Sequence, residues 1–126
     1  MEVSALRVAS WLAERAEIET VLHPALPSCP GHETWKRDFT GSSGLFSVVF
    51  REPTSRHELQ NAMDRLTLFR MGYSWGGVSS LVVVPDMTEA SHARRFADRL
   101  LRFYVGLEDP DDLIADLQQA FRFGLT

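Results

Sequence analysis

The stretch Leu100-Leu101-Arg102-Phe103-Tyr104-Val105-Gly106-Leu107-Glu108-Asp109-Pro110-Asp111-Asp112-Leu113-Ile114 passes from one hydrophobic spacing to another. Residues 100–105 alternate well enough to predict a strand, with Leu100, Arg102 and Tyr104 on one face. Gly106 interrupts it. Asp109 then has the chemistry of an N-cap, Pro110 suits the first helical position, and Asp111 and Asp112 complement the positive end of the helix dipole. Leu113, Ile114, Leu117 and Phe121 follow at helical spacing as a buried stripe. The rest of the chain has to be arranged around this strand and the amphipathic helix it leads into.

Working outward, residues 81–84 read as an apolar strand stopped by Pro85, residues 68–71 as a short strand, and residues 72–77 as a glycine-flanked turn between them. Residues 88–97 offer a helical turn or two. Ser55 and Glu58 form a capping box ahead of Leu59, Ala62, Met63 and Leu66, which predicts a helix, and residues 45–51 precede it as a strand ended by Pro53. At the N-terminus, Ala5, Val8, Ala9, Leu12 and Ala16 mark an amphipathic helix, followed by a strand over residues 18–23. Between Pro24 and Gly44 regular structure is expected to fail: three of the six prolines lie there together with Gly31 and Gly41. A loop of that length is long enough to suspect function. The elements predict an α+β domain spanning 1–126, a small, mainly antiparallel sheet with helices on one face.

The 126 residues carry 13 Lys plus Arg against 17 Asp plus Glu, a net charge of −4, which argues against binding nucleic acid through phosphate contacts. No apolar run approaches the roughly 18 residues that a membrane-spanning helix needs, and no export signal is evident, so no membrane or nucleic-acid partner is expected. The single cysteine, Cys29, cannot close an internal disulfide; a reducing, cytoplasmic location is expected. Lys36 is the only lysine, so any lysine chemistry would have to use it.

Several short patterns invite chemical readings. Gly72-Tyr73-Ser74-Trp75-Gly76 matches G-x-S-x-G, but a strand rather than a helix is predicted after it, which removes the context a nucleophile elbow requires. A glycine-supported turn is the plainer reading. Cys29, His32 and His23 share a loop, yet the set is incomplete for structural zinc and no metal site is assigned. Trp35-Lys36-Arg37-Asp38-Phe39 interleaves aromatics with two cations, too few for a single-strand platform, and reads as pinning the loop. Arg102 has two readings. An arginine on a half-buried sheet can send its guanidinium to solvent along an apolar stem, or stand as a rigid fork for a carboxylate. Local sequence leaves both open.

Four strings, taken together, resemble a known family: His23-Pro24-Ala25-Leu26-Pro27, Gly31-His32-Glu33-Thr34-Trp35-Lys36-Arg37-Asp38-Phe39-Thr40-Gly41, Tyr73-Ser74-Trp75-Gly76-Gly77 and Arg102-Phe103-Tyr104-Val105-Gly106-Leu107-Glu108-Asp109. In this order they are similar to the C-terminal part of bacterial cystathionine β-lyases, members of the Cys/Met metabolism family of pyridoxal-phosphate-dependent enzymes. The resemblance implies the small C-terminal domain of the aspartate-aminotransferase-like fold. It implies roles for Arg102 as the grip on the substrate carboxylate, for Trp75 beside it, and for Ser74 as the serine that approaches the Schiff-base lysine. Serine followed by tryptophan favours the β-lyases over the γ-type members, in which leucine tends to follow the serine.

The same resemblance implies what these residues leave out. The aldimine lysine, the phosphate cradle and the tyrosine stacked on the cofactor belong to a larger N-terminal domain, and Lys36 aligns outside the aldimine motif. Pyridoxal phosphate is therefore expected in the full-length enzyme, which is expected to be a homo-oligomer acting on a small amino-acid substrate, but not bound covalently by this chain. The whole enzyme would convert cystathionine to homocysteine, pyruvate and ammonia by β-elimination. This chain alone is expected to be inactive. The other readings are a stand-alone, non-catalytic module that binds a small carboxylate or docks onto another chain, and a γ-type member of the same family.

Overall fold

The computed structural model describes residues 2–73, 77–85 and 99–124. Its strands are β1 (Ile18–Leu22), β2 (Leu45–Phe50), β3 (Arg70–Met71), β4 (Leu81–Val83) and β5 (Leu100–Tyr104). Its helices are α1 (Glu2–Ala13), α2 (His32–Asp38), α3 (Arg56–Asp64) and α4 (Pro110–Phe121). The strands make one sheet in the order β1-β2-β5-β4-β3. Although β5 is the last strand in the chain it lies at the centre, antiparallel to both β2 and β4. Among the described strands, the edge pair β3 and β4 alone is parallel. The α+β class and the mainly antiparallel sheet agree with the expectation.

Alternation along β5 divides its residues between two environments. Leu101, Phe103 and Val105 are at most 1% exposed and join Phe46, Val48 and Val82 of the neighbouring strands in the main core. That core is closed by Val8 and Leu12 of α1, Leu59 of α3, and Leu113 and Leu117 of α4. Each fully buried leucine of this set stabilises the fold by about 1.5–3 kcal/mol relative to leaving it in water. The other face carries Leu100, Arg102 and Tyr104. Here Arg102 is in register with Ser47 of β2 and Val83 of β4, and Tyr104 with Leu45 and Leu81.

The starts of α3 and α4 are those the sequence predicts. The Ser55 hydroxyl accepts the Glu58 N–H at 3.2 Å, and the Asp109 carboxylate accepts the Asp111 N–H at 2.8 Å with Pro110 beginning α4. Such caps contribute about 1 kcal/mol each. Residues 24–44 differ from the expectation, because the seven-residue helix α2 forms within them. None of its residues is buried, so it leaves no apolar repeat to read. Side chains tie this segment to its surroundings. Trp35 Nε1 donates to the Gly41 carbonyl at 3.0 Å, as a pinning role requires, His32 Nδ1 lies 2.7 Å from the Pro24 carbonyl, and the Ser42 N–H donates to the Glu2 carboxylate at 2.7 Å. The helical turns expected over residues 88–97 and the centre of the turn at 72–77 lie outside the described residues. Among the described residues no helix is long and apolar enough to cross a membrane.

Two polar clusters set the path of the chain beside β4. Asp116, on the inner side of α4 and 4% exposed, accepts the Thr67 and Leu68 backbone N–H groups at 2.9 and 2.8 Å and the Thr67 hydroxyl at 3.0 Å. Gln119 Nε2 adds a further donor at 3.0 Å. Burial pushes this carboxyl upward, but the hydrogen bonds from Thr67, Leu68 and Gln119 outweigh it and hold the pKa below the ordinary aspartate value. At the start of β4, the Ser80 N–H donates to Glu108 at 3.0 Å and the Gly106 N–H donates to the Ser80 hydroxyl at 2.9 Å. Gly106 lies so close to the neighbouring loop that a Cβ there would sit 2.3 Å from the Val78 carbonyl oxygen and 2.8 Å from the Ser79 carbonyl carbon.

Gly106→Ala is expected to destabilise the protein by about 1–3 kcal/mol, because only backbone movement relieves the overlap; a urea midpoint equal to that of the wild type would contradict it. Asp116→Asn is expected to lose about 1–3 kcal/mol at pH 7. Because the folded-state pKa is depressed, the stabilisation from ionised Asp116 is complete above the unfolded value of about 3.9 and is lost as pH falls through the folded value. The stability gap between Asp116→Asn and wild type should therefore narrow in acid denaturant titrations below that value, and a gap independent of pH would contradict the assignment.

Candidate functional site

On the sheet face opposite the main core, Arg102 is the charged side chain of the central strand, half-buried, between Ser47 and Val83. Its backbone is fixed because β5 is paired on both sides, and the planar guanidinium presents its donors in a pre-organised fork. Its Nη2 donates to the backbone carbonyl of Tyr73, and its guanidinium carbon lies 5.9 Å from the centre of the Tyr73 ring. That separation is within the range of a cation–π contact. Arg102 is thus engaged by backbone and aromatic face together at the exposed edge of this face.

Two residues along the same face, the Tyr104 hydroxyl donates to the Gly77 carbonyl at 2.7 Å. Tyr104 is 3% exposed, and the close approach of Gly44 helps to bury it: a Cβ on Gly44 would lie 3.0 Å from the tyrosine ring. Arg102 and Tyr104 therefore hold the residues on either side of positions 74–76. Ser74 and Trp75, the two other residues singled out in the sequence, lie outside the described residues. The geometry brings Arg102 to Tyr73, which precedes that pair in the chain, and Tyr104 to Gly77, two residues beyond it.

The other sequence candidates have structural surroundings of their own. His23 is fully buried, its Nδ1 accepts the Ala25 N–H at 3.1 Å, and its ring centre lies 5.8 Å from that of Phe46. Burial lowers its pKa, with Glu2 acting weakly in the opposite sense, so the ring is neutral at physiological pH. His32 stacks on Trp35 with ring centres 5.8 Å apart. Burial raises the Cys29 thiol, which favours the inert protonated form. Among the described residues no group of three or more His, Cys, Asp or Glu side chains converges as metal ligands would. Lys36 is exposed on α2, with Arg37 and Asp38 paired beside it at 2.8 Å.

Tyr73 and Tyr104 carry parts of this arrangement that sequence reasoning did not assign. For Tyr104 a signal was present, since strand alternation places it on the face of Arg102. For Tyr73 the decisive group is a main-chain carbonyl, which no side-chain pattern announces.

Comparison with known proteins gives this geometry a family context. A family model described as Cys/Met metabolism PLP-dependent enzyme matches residues 1–122. The chain is 50% identical over 123 residues to the cystathionine beta-lyase MetC of Escherichia coli (strain K12), covering 94% of this chain and 31% of that protein. It is 46% identical over 123 residues to the cystathionine beta-lyase of Haemophilus influenzae, with 94% and 31% covered. A cystathionine gamma-synthase of Mycobacterium bovis is 40% identical over 121 residues, with 93% and 31% covered. The chain thus spans about a third of the length of the curated relatives it matches. With almost its whole length matched by the family model, the chain belongs to the Cys/Met metabolism family of PLP-dependent enzymes.

Proposed function

We propose that this chain supplies the substrate-carboxylate-binding domain of a PLP-dependent carbon–sulfur lyase of the cystathionine β-lyase type, with the layout of the C-terminal domain of the aspartate-aminotransferase-like fold. The observation that carries the proposal is the placement of Arg102: a half-buried arginine on the central strand, on the face away from the main core, beside Tyr73, which precedes Ser74 and Trp75 in the chain. The planar fork matches two carboxylate oxygens, and a substrate held by it is oriented before any bond changes. A carboxylate entering there takes the place of the Tyr73 carbonyl on Nη2 and finds further donors on the same guanidinium.

The described residues do not fit the cofactor itself. A lysine that forms a lasting Schiff base needs a site sheltered from water, whereas Lys36 is exposed on a short helix with no buried residue. No step through the cofactor is assigned to this chain; the cofactor lysine and phosphate cradle are proposed to lie on polypeptide beyond these residues. In that whole enzyme the cofactor would supply the electron sink for a β-elimination in which cystathionine and water would give homocysteine, pyruvate and ammonia. Arg102 binds the substrate carboxylate, Trp75 supports it, and Ser74 holds the amine of the catalytic lysine in place. The 40% identity to a cystathionine gamma-synthase supports a γ-type activity as the second reading. The serine-tryptophan pair at Ser74-Trp75 favours the β-type.

Titration of the full chain with L-cystathionine by isothermal calorimetry tests the carboxylate grip. Saturable binding is expected for the wild type. Arg102→Lys, which keeps the charge and loses the fork, should bind about 10- to 100-fold more weakly, in line with charge-assisted hydrogen bonds worth about 1.5–3 kcal/mol. Equal affinity of Arg102→Gln and wild type would overturn the proposal, as would the absence of wild-type binding.

A further inference from the structure

His23 is a buried ionisable side chain with no part in the proposed substrate site. It follows β1 directly and opens the segment of residues 24–44 that leads to β2. Its Nδ1 accepts the Ala25 N–H at 3.1 Å, which requires the neutral tautomer with hydrogen on Nε2. That Nε2–H has no hydrogen-bond partner among the described residues. We propose that His23 is an acid-sensitive latch: the neutral ring holds the start of residues 24–44 in place, and a proton on Nδ1 releases them.

A proton at Nδ1 turns the acceptor of the Ala25 N–H into a second donor facing it, and both ring N–H groups then lie buried without an acceptor. A buried cation in that state costs more than the packing of one ring returns, so the ring and the turn it supports open to water together. The turn is built locally: the Leu26 N–H donates to the His23 carbonyl at 2.9 Å and the Cys29 N–H to the Leu26 carbonyl at 3.0 Å. No residue of α2, which follows, is buried, so little apolar packing resists the opening. Three neighbours bear on the ring and its segment. Glu2 of α1 favours the charged ring, but less than burial disfavours it, and its carboxylate already accepts the Ser42 N–H at 2.7 Å at the far end of the segment. His32 Nδ1 donates to the Pro24 carbonyl at 2.7 Å, a bond that both the neutral and the charged ring can make. Phe46, packed on His23 from β2, carries no charge. Burial holds the His23 pKa below its ordinary value of 6.5, so the open segment binds the proton more tightly. Closure is therefore complete above pH 6.5 and is lost as pH falls below that value toward the depressed one.

The latch does not depend on the carboxylate reading of Arg102. Nitrogen-15 spectroscopy of the His23 ring and amide hydrogen exchange, both on the full chain, test it as pH is lowered from neutrality. The ring is expected to show an unprotonated Nδ1 at neutral pH and to titrate below pH 6.5. Protection of residues 24–44 should fall at least about tenfold over the same interval, while β2 and β5 stay protected. His23→Asn offers the Ala25 N–H an acceptor that takes up no proton, so the protection of the segment should no longer vary with pH there. Because this change also leaves space beside Phe46, the wild-type comparison decides by itself if the variant fails to fold. A wild-type ring that titrates while the segment keeps its protection would overturn the proposal. So would a ring that stays neutral until β2 and β5 lose protection in the same step, or an equal loss of protection in His23→Asn.

Discussion

The two-sided pairing of β5 is the constraint on which the other features depend. A strand hydrogen-bonded to neighbours on both edges cannot shift register by one residue without exchanging its two faces, and here the exchange would bury Arg102 among Leu12, Leu59, Leu113 and Leu117 while turning Leu101 and Phe103 outward. The cost of placing an unpaired guanidinium in an apolar core far exceeds any single contact in the sheet. The same burial that closes the main core therefore holds Arg102 and Tyr104 on the opposite face.

Support for that strand comes from both of its ends. Beyond its C-terminus, Gly106 allows the loop at Val78 and Ser79 to approach, and Glu108 binds Ser80 at the start of β4. Before its N-terminus, the buried Arg99 donates to the Phe50 carbonyl at 2.8 Å and pairs with Glu19 at 3.3 Å, tying the strand to β1 and β2. Arg99 is buried while Glu19 stays partly exposed, so loss of the Phe50 carbonyl contact or of Glu19 would leave a buried guanidinium less well satisfied.

Much of this was legible in the sequence because it is written in local chemistry. Ser55 with Glu58 and Asp109 with Pro110 are read directly as helix starts, and alternation along 100–105 identifies the faces of β5. The helix α2 was hidden because none of its residues is buried, so no periodic stripe records it. Asp116 also escaped notice: its place on α4 is an ordinary acidic position in sequence, and its partners, the backbone groups of Thr67 and Leu68, are distant in the chain. Arg102 stood between two readings for the same reason, since its observed partner is the Tyr73 main chain. The long strings shared with the Cys/Met metabolism family resolved what local patterns left open about membership, and the register supplies the physical sense of the position Arg102 occupies.

The central claim is that the guanidinium of Arg102 receives a carboxylate. Nitrogen-15 spectroscopy of the arginine Nε–Hε groups of the full chain, assigned by an Arg102→Lys control, tests it most directly when L-cystathionine is compared with its dimethyl ester. The account predicts that the Arg102 resonance shifts saturably with the free acid and stays in place with the ester, while Arg7 and Arg37, already paired with Asp111 and Asp38, do not respond. An Arg102 resonance unmoved by the acid, or moved equally by the ester, would contradict it.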